Sequence, residues 1–436
     1  MYTFSKYVSH LHCGQFYISL RRWRSSWFSI QYLNGVRQGE NLSPFLFALY
    51  LNDLDTFLTS KNAQGVKSIS EDFENDLQIY VKLFTILYAD DTVLLAESAE
   101  ELQSELNYFY EYCEKWNLKV NTNKSKVMVF SKGRLPINLN FKMNNMELEI
   151  VSEFIHLGTM FQRTGSFKKN KVNLAEKASK AMYDILNKGR VHNLSVSCHL
   201  DLFDKIIIPM LTYGSEIWGY ENIDILEKVH VKFCKLLLNL KTSTPNFMLY
   251  GELGRYPLNI TVKLKILSFW SKLIDGKQSK LSSLIYRLLY LKTHGNNTFS
   301  WINFVKSILD DCGYSNVWHT QNVISHKWLI ESIKLRLTDQ FKQNWHSTLQ
   351  ISPKALSYRL FKSDFRFEKY LDVLNDKNRF TFCRFRTSNH RLPIEVGRWT
   401  NVERHNRLCQ LCQSGEIGDE LQYVLQCPNF TTVRKK

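Results

Sequence analysis

The stretch "LYADDTVLLAES", residues 87–98, sets two aspartates between apolar runs. Leu87-Tyr88 precedes Asp90 and Asp91, and Val93-Leu94-Leu95 follows them. Apolar and β-rich residues from Ile79 onward predict a hairpin over 79–97 with its turn at Ala89-Asp90-Asp91. One aspartate in a turn is ordinary, since its side chain bonds nearby backbone. Two side by side repel unless cations sit between them and a substrate. Hard divalent cations such as Mg²⁺ or Mn²⁺ take carboxylates together with substrate phosphates. A hairpin is a good mount for such ligands, because its register fixes where they point.

Working outward, Ser98 with Glu101 forms a capping box. The helix it opens carries Leu102, Leu106, Phe109, Cys113 and Trp116 on one face. That face packs on something flat, most simply the sheet that holds the hairpin. A strand "KVMVF" follows at 126–130 and a strand-turn "EFIHLGTMF" at 153–161. Upstream, "GVRQGENLSP" (35–44) reads as a loop with Ser43 as helix N-cap and Pro44 at the first helical position. The helix after it is expected to present Phe45, Leu49 and Asn52 with the neighbouring leucines.

From about residue 166 the texture changes to long helical patterns: "LAEKASKAMYDILNKG", "DILEKVHVKFCKLLLNL" and "ITVKLKILSFWSKLIDG". A second shift comes near 380, where "RFTFCRFRTSNHRL" is basic and aromatic. The expected fold class is therefore α+β: an antiparallel sheet packed on helices, then a mostly helical remainder. The expected divisions are 1–165, 166–275, 276–380 and 381–436.

A chain of 436 residues exceeds what one core usually covers. Its formal charge of +16 suits a polyanion, nucleic acid before acidic membrane. Six of the nine cysteines stand singly, as reduced intracellular thiols do, which gives a nuclear or cytoplasmic expectation. No apolar run approaches the ~20 residues needed to span a bilayer. Arg21, Arg22 and Arg24 interrupt any signal-peptide core.

Four segments come in a fixed order: "GVRQGENLSPFLF", "YADD", "LKVNTNKSK" and "FIHLGTMF". Together they resemble the reverse-transcriptase domain of non-LTR (LINE-type) retrotransposons. The resemblance covers roughly residues 20–165 and continues more loosely through "IIIPMLTYGSEIWG" (206–219). It implies a polymerase palm followed by a helical thumb that holds duplex through backbone contacts. It implies that Asp90 and Asp91 are the catalytic pair and the metal ligands, with Tyr88 and Ala89 completing their box. Arg37, Gln38 and Gly39 would line the nucleotide and template side. Lys124 would stand near the incoming triphosphate, and Phe154, Leu157 and Gly158 in the hairpin that grips the primer end. The implied partners are an RNA template, a DNA primer or duplex, and deoxynucleotides. No membrane is implied.

The chain departs from the family in one respect. The family's third carboxylate lies on a strand upstream of the glycine-rich loop, in a pattern like Phe-x-Asp-x-x-x-Ala-Phe-Asp. Here the first acidic residue is Glu40 and the first aspartate Asp53. The expectation is an N-terminally truncated polymerase, inactive alone, whose palm sheet has an exposed edge where that strand is missing. The alternative is a non-enzymatic nucleic-acid-binding remnant.

Cys409-x-x-Cys412, with Cys427 fourteen residues on, suggests structural zinc. It resembles the Cys-Cys-His-Cys knuckle near the C-terminus of such elements. Gln422 stands where that pattern has histidine. Zinc at Cys409, Cys412 and Cys427 is expected to be weakened by that exchange.

Overall fold

The computed structural model describes residues 2–5, 8–9, 16–21, 27–32, 42–72, 77–83, 85–88, 91–131, 133–134, 138–276, 280–293 and 300–435. It divides into two compact units, Met1–Asn170 with Lys277–Phe299, and Lys171–Gly276 with Ser300–Lys436. The fold class is α+β, as expected.

The first unit is built on a six-stranded sheet. Its strands are, in spatial order, Phe141–Met143, Met146–Ile150, Lys126–Val129, Tyr2–Ser5, Asp91–Ala96 and Thr85–Tyr88. Strand alternation gives the sheet two different faces. Leu94, Ala96, Val127 and Val129 point into a core with Leu102, Leu106, Phe109, Tyr112 and Cys113 of helix Ala99–Lys115. The N-cap of that helix is the expected one, with Ser98 Oγ accepting from Glu101 N at 3.1 Å. Val93, Leu95 and Met128 point the other way and line a cavity.

Two expectations are corrected here. The segment after the glycine-rich loop forms two short helices, Ser43–Tyr50 and Leu54–Ser60, in place of one. Leu42 is already helical, so it takes the N-cap position and Ser43 does not cap. Phe47, Leu51, Leu54 and Leu58 are buried, whereas Phe45 and Leu49 are exposed. The break falls at Asp53, whose Oδ1 accepts from the Tyr112 hydroxyl of the neighbouring helix. The predicted hairpin over 79–97 likewise resolves into two pairings. Strand Leu77–Leu83 pairs with Val66–Asp72, and Thr85–Tyr88 pairs with Asp91–Ala96.

The expected gap in the sheet is filled. Strand Tyr2–Ser5 lies antiparallel to both Lys126–Val129 and Asp91–Ala96, with Phe4 opposite Val127 on one side and Leu94 on the other. No edge is exposed between those two strands, because backbone pairing needs no particular side chain.

The second unit is helical, with Asp224–Leu237, Leu258–Asp275, Ser300–Asp311, His326–Ile351 and Asp376–Arg386 among its longer elements. The three helical patterns read from the sequence all form. Gly189 has a steric reason to lack a side chain, since a Cβ there would lie 2.1 Å from His199 Nε2. A buried ionic cluster ties distant segments together. Glu252, fully buried, accepts from Arg386 Nη2 at 3.0 Å and from the Tyr370 hydroxyl. Lys362, also buried, pairs with Glu368 beside them. No helix among the described residues is long and apolar enough to cross a membrane.

Candidate functional site

In the aspartate hairpin Tyr88 is opposite Asp91 and Leu87 opposite Thr92. Ala89 and Asp90 lie outside the described residues, as do Arg37, Gln38 and Gly39. Tyr88 is described as a strand position only. Asp91 is half-buried. By strand alternation it shares a face with Val93 and Leu95, on the side away from the helix core.

Across that face lies a second hairpin, Glu153–His156 paired with Thr159–Gln162. Its turn is Leu157-Gly158, with φ of 47° and 79°. Two successive positive φ values belong to the type I′ turn, whose twist matches the paired strands. Leu157 is exposed at the tip, and Phe154 is half-buried at the base. The two hairpins share one cavity of about 350 Å³, lined by Ile86, Val93 and Leu95 from one and Phe154, His156 and Phe161 from the other. His156 is close enough to Asp91 to feel its charge. Burial lowers the His156 pKa, and the Asp91 carboxylate opposes that shift. His156 Nδ1 is buried without a hydrogen-bond partner among the described residues.

Lys124 is exposed in the turn before strand Lys126–Val129, where its backbone N–H bonds Asn121. Lys126 is opposite Ser5, and Leu94 is opposite Phe4 in the same central strand. The strands that begin after Lys124 and at Asp91 therefore run in the same direction, and both residues sit at one end of the sheet. Asp91 and Lys124 thus share one end of the sheet, and the strand that begins at Asp91 shares its cavity with the hairpin that carries Phe154, Leu157 and Gly158. Within the strand-turn at 153–161, nothing in its neighbours marks His156. Its place beside Asp91 depends on a contact between segments 65 residues apart in sequence, for which no local signal exists.

In the second unit the three tail cysteines converge, with the Sγ atoms of Cys409, Cys412 and Cys427 all within 4.8 Å of one another. Zinc bonds sulfur at about 2.3 Å in a tetrahedron, so three thiolates at such spacing fit a single ion. Hydrogen bonds from Ser414, with Cys409 and Cys427 alongside, lower the Cys412 pKa to about 6, against a smaller opposing effect of burial. Gln422 is buried against them, its Nε2 3.4 Å from Cys412 Sγ. Gln422 Oε1 is buried with no hydrogen-bond partner among the described residues. Gln422 thus lies beside the cysteines, at the sequence position where the knuckle pattern has histidine.

Comparison with known proteins gives the same direction. Residues 2–174 match the family described as reverse transcriptase (RNA-dependent DNA polymerase). The chain is 24% identical over 252 residues to the RNA-directed DNA polymerase from mobile element jockey of Drosophila melanogaster, covering 55% of this chain and 25% of that protein. It is 26% identical over 239 residues to the retrovirus-related Pol polyprotein from type-1 retrotransposable element R2 of Popillia japonica, covering 52% of this chain and 31% of that one. The chain thus spans between a quarter and a third of the length of these relatives.

Proposed function

Because residues 2–174 belong to the reverse transcriptase (RNA-dependent DNA polymerase) family, we propose that the chain is the reverse-transcriptase domain of a non-LTR retrotransposon with the helical region that follows it. The reaction class is nucleotidyl transfer. A primer 3′-hydroxyl attacks the innermost phosphorus of a deoxynucleotide, and pyrophosphate leaves. Asp90 and Asp91 would hold Mg²⁺ or Mn²⁺, whose charge would offset that of the reacting phosphates. The donor set fits, being hard carboxylate oxygens, with Asp91 half-buried at the start of its strand.

The chain's own residues would then bind and orient. Lys124 meets the triphosphate as a point charge at the end of the sheet where Asp91 lies. Arg37, Gln38, Gly39 and Tyr88 line the nucleotide and template side. Phe154, Leu157 and Gly158 hold the primer end. Residues 166–275 serve as thumb and 381–436 as a basic tail, and 276–380 carry no assigned role. Cys409, Cys412 and Cys427 would hold zinc as a structural clamp, with Gln422 in place of the fourth ligand. Partners are an RNA template, a DNA primer and deoxynucleotides, in an intracellular setting.

The observation that carries this reading is the cavity shared by the aspartate hairpin and the Leu157-Gly158 hairpin. A non-enzymatic nucleic-acid-binding role is the second reading. It is favoured by strand Tyr2–Ser5, which has no carboxylate and fills the slot beside Asp91–Ala96.

Primer extension on an RNA template with Mg²⁺ tests both. Residues 1–436 are expected to bind the primer-template and not extend it. Extension that is lost in Asp90→Asn would keep the domain reading and overturn the inactivity. Neither binding nor extension would overturn both readings.

A further inference from the structure

The second unit contains a polar pocket that lies outside the polymerase motifs. It has a volume of about 490 Å³ and is lined by Asn239, Lys241, Arg384, Asn389, His390 and Arg391 among others. Its walls are the loop after helix Asp224–Leu237, the last turn of helix Asp376–Arg386 and the loop that follows. The walls are tied to one another. Arg384 Nε donates to Asn239 O at 2.9 Å, and Asn389 Nδ2 donates to Thr244 Oγ1 at 3.1 Å. His390 Nε2 lies 2.8 Å from Glu420 Oε1, which anchors the pocket to the segment that carries the tail cysteines.

The charge around this pocket is one-sided. Lys241, Arg384 and Arg391 are exposed on its walls. Lys235, Lys354 and Arg398 continue the same patch, close enough that burial and their mutual repulsion lower the pKa of Lys235 and Lys354. Among the described contacts, the acids beside the patch are Glu395, paired with Arg398 at 3.1 Å, and Glu420, held by His390 and two serines. Six cations against two already paired acids leave a surplus of positive charge. Trp399, 53% exposed, stands at the rim with Lys241 Nζ 4.6 Å from its ring centroid.

Converging cations over amide side chains, with an exposed indole at the edge, is the composition that tracks a sugar-phosphate backbone and stacks an unpaired base. A flat acidic membrane needs neither a concave polar floor nor a stacking ring. We propose that this pocket is a binding site for single-stranded nucleic acid, in which Lys241, Arg384 and Arg391 hold phosphates and Trp399 receives a base. The proposal rests on the nucleic-acid part of the reading above, and it is independent of Asp90 and Asp91.

The test uses the full chain and a fluorescent single-stranded RNA oligonucleotide, with anisotropy read over a range of KCl. Each phosphate contact on a single strand contributes about 0.7 to the slope of log affinity against log salt. Lys241→Gln with Arg384→Gln and Arg391→Gln is expected to lower that slope by about 2. Since Arg384 also bonds Asn239, the double variant Lys241→Glu with Arg391→Glu checks the result without that bond. Trp399→Ala is expected to weaken binding about tenfold or more while leaving the slope unchanged. Removing three exposed lysines elsewhere, Lys306, Lys327 and Lys334, is expected to change the slope far less. Equal losses from the two triple variants, or none from the pocket variants, would overturn the site while leaving the wider reading intact. No binding by the unaltered chain would overturn both. Binding to anionic vesicles that the pocket variants lose, with RNA binding kept, would assign the patch to a membrane and refute the proposal.

Discussion

Arg386→Ala offers the sharpest stability test in the second unit. Glu252 is fully buried, and Arg386 reaches it through Nε and Nη2 at 3.0 to 3.2 Å. Arg386 also lies 3.5 Å from Glu368. Truncating it leaves the Glu252 carboxylate with neutral hydroxyl donors, Tyr370 and Tyr358, and with Lys362, already paired to Glu368, as the nearby cation. Breaking a buried pair in this way costs about 3–5 kcal/mol, mostly as the penalty of an orphaned charge. In a unit of this size each kcal/mol moves Tm by about 2–4 °C, so the loss is roughly 6–20 °C. Denaturant titration followed by tryptophan fluorescence measures it. The double variant Arg386→Met with Glu252→Gln strands no charge and should lose clearly less than Arg386→Ala alone. A cost below about 1 kcal/mol for Arg386→Ala, or a double variant as damaged as the sum of its singles, would refute the argument that desolvation dominates here.

Two further outcomes follow from the tail. Burial acts to raise the Glu420 pKa, but bonds from His390 and Ser357 outweigh it and hold the carboxyl below its usual range. A depressed carboxylate contributes stability that is present above its unfolded value and is lost as pH falls through the lower folded one. Thermal melts between about pH 6 and about pH 3 should therefore fall more steeply for the unaltered chain than for Glu420→Gln. Zinc titration against a chelating dye should show one site, abolished by Cys409→Ser or Cys427→Ser. Gln422→His should tighten that site by about tenfold or more, since imidazole replaces an amide beside three thiols. Unchanged affinity in Gln422→His would mean that residue 422 does not face the ion.

Much of the first unit was legible because its signals are local. Ser98 with Glu101, and the steps from Leu102 to Cys113, locate a helix and its buried face within a few turns. Leu157-Gly158 is turn chemistry, readable from its neighbours. The two short helices before the sheet were not legible. Asp53 breaks them through a hydroxyl from Tyr112, which is 59 positions away. The same limit hid the meeting of His156 with Asp91 and the bond between Glu252 and Arg386, 134 positions apart. Periodicity reports which face of an element is oily. It carries no information about which distant acid a buried arginine will find. The candidate site was legible as a set of motifs, because each motif is a short run. Its cavity, and the pocket around Lys241, exist only once segments far apart in sequence are brought together.

Strand Tyr2–Ser5 carries one more consequence. It is stitched to both neighbours by main-chain groups running antiparallel on either side. A ladder of that kind recognises direction and length and is nearly blind to who supplies the donors and acceptors. Removing residues 1–5 would therefore unpair both neighbours at once and turn an interior position of the sheet into two open edges.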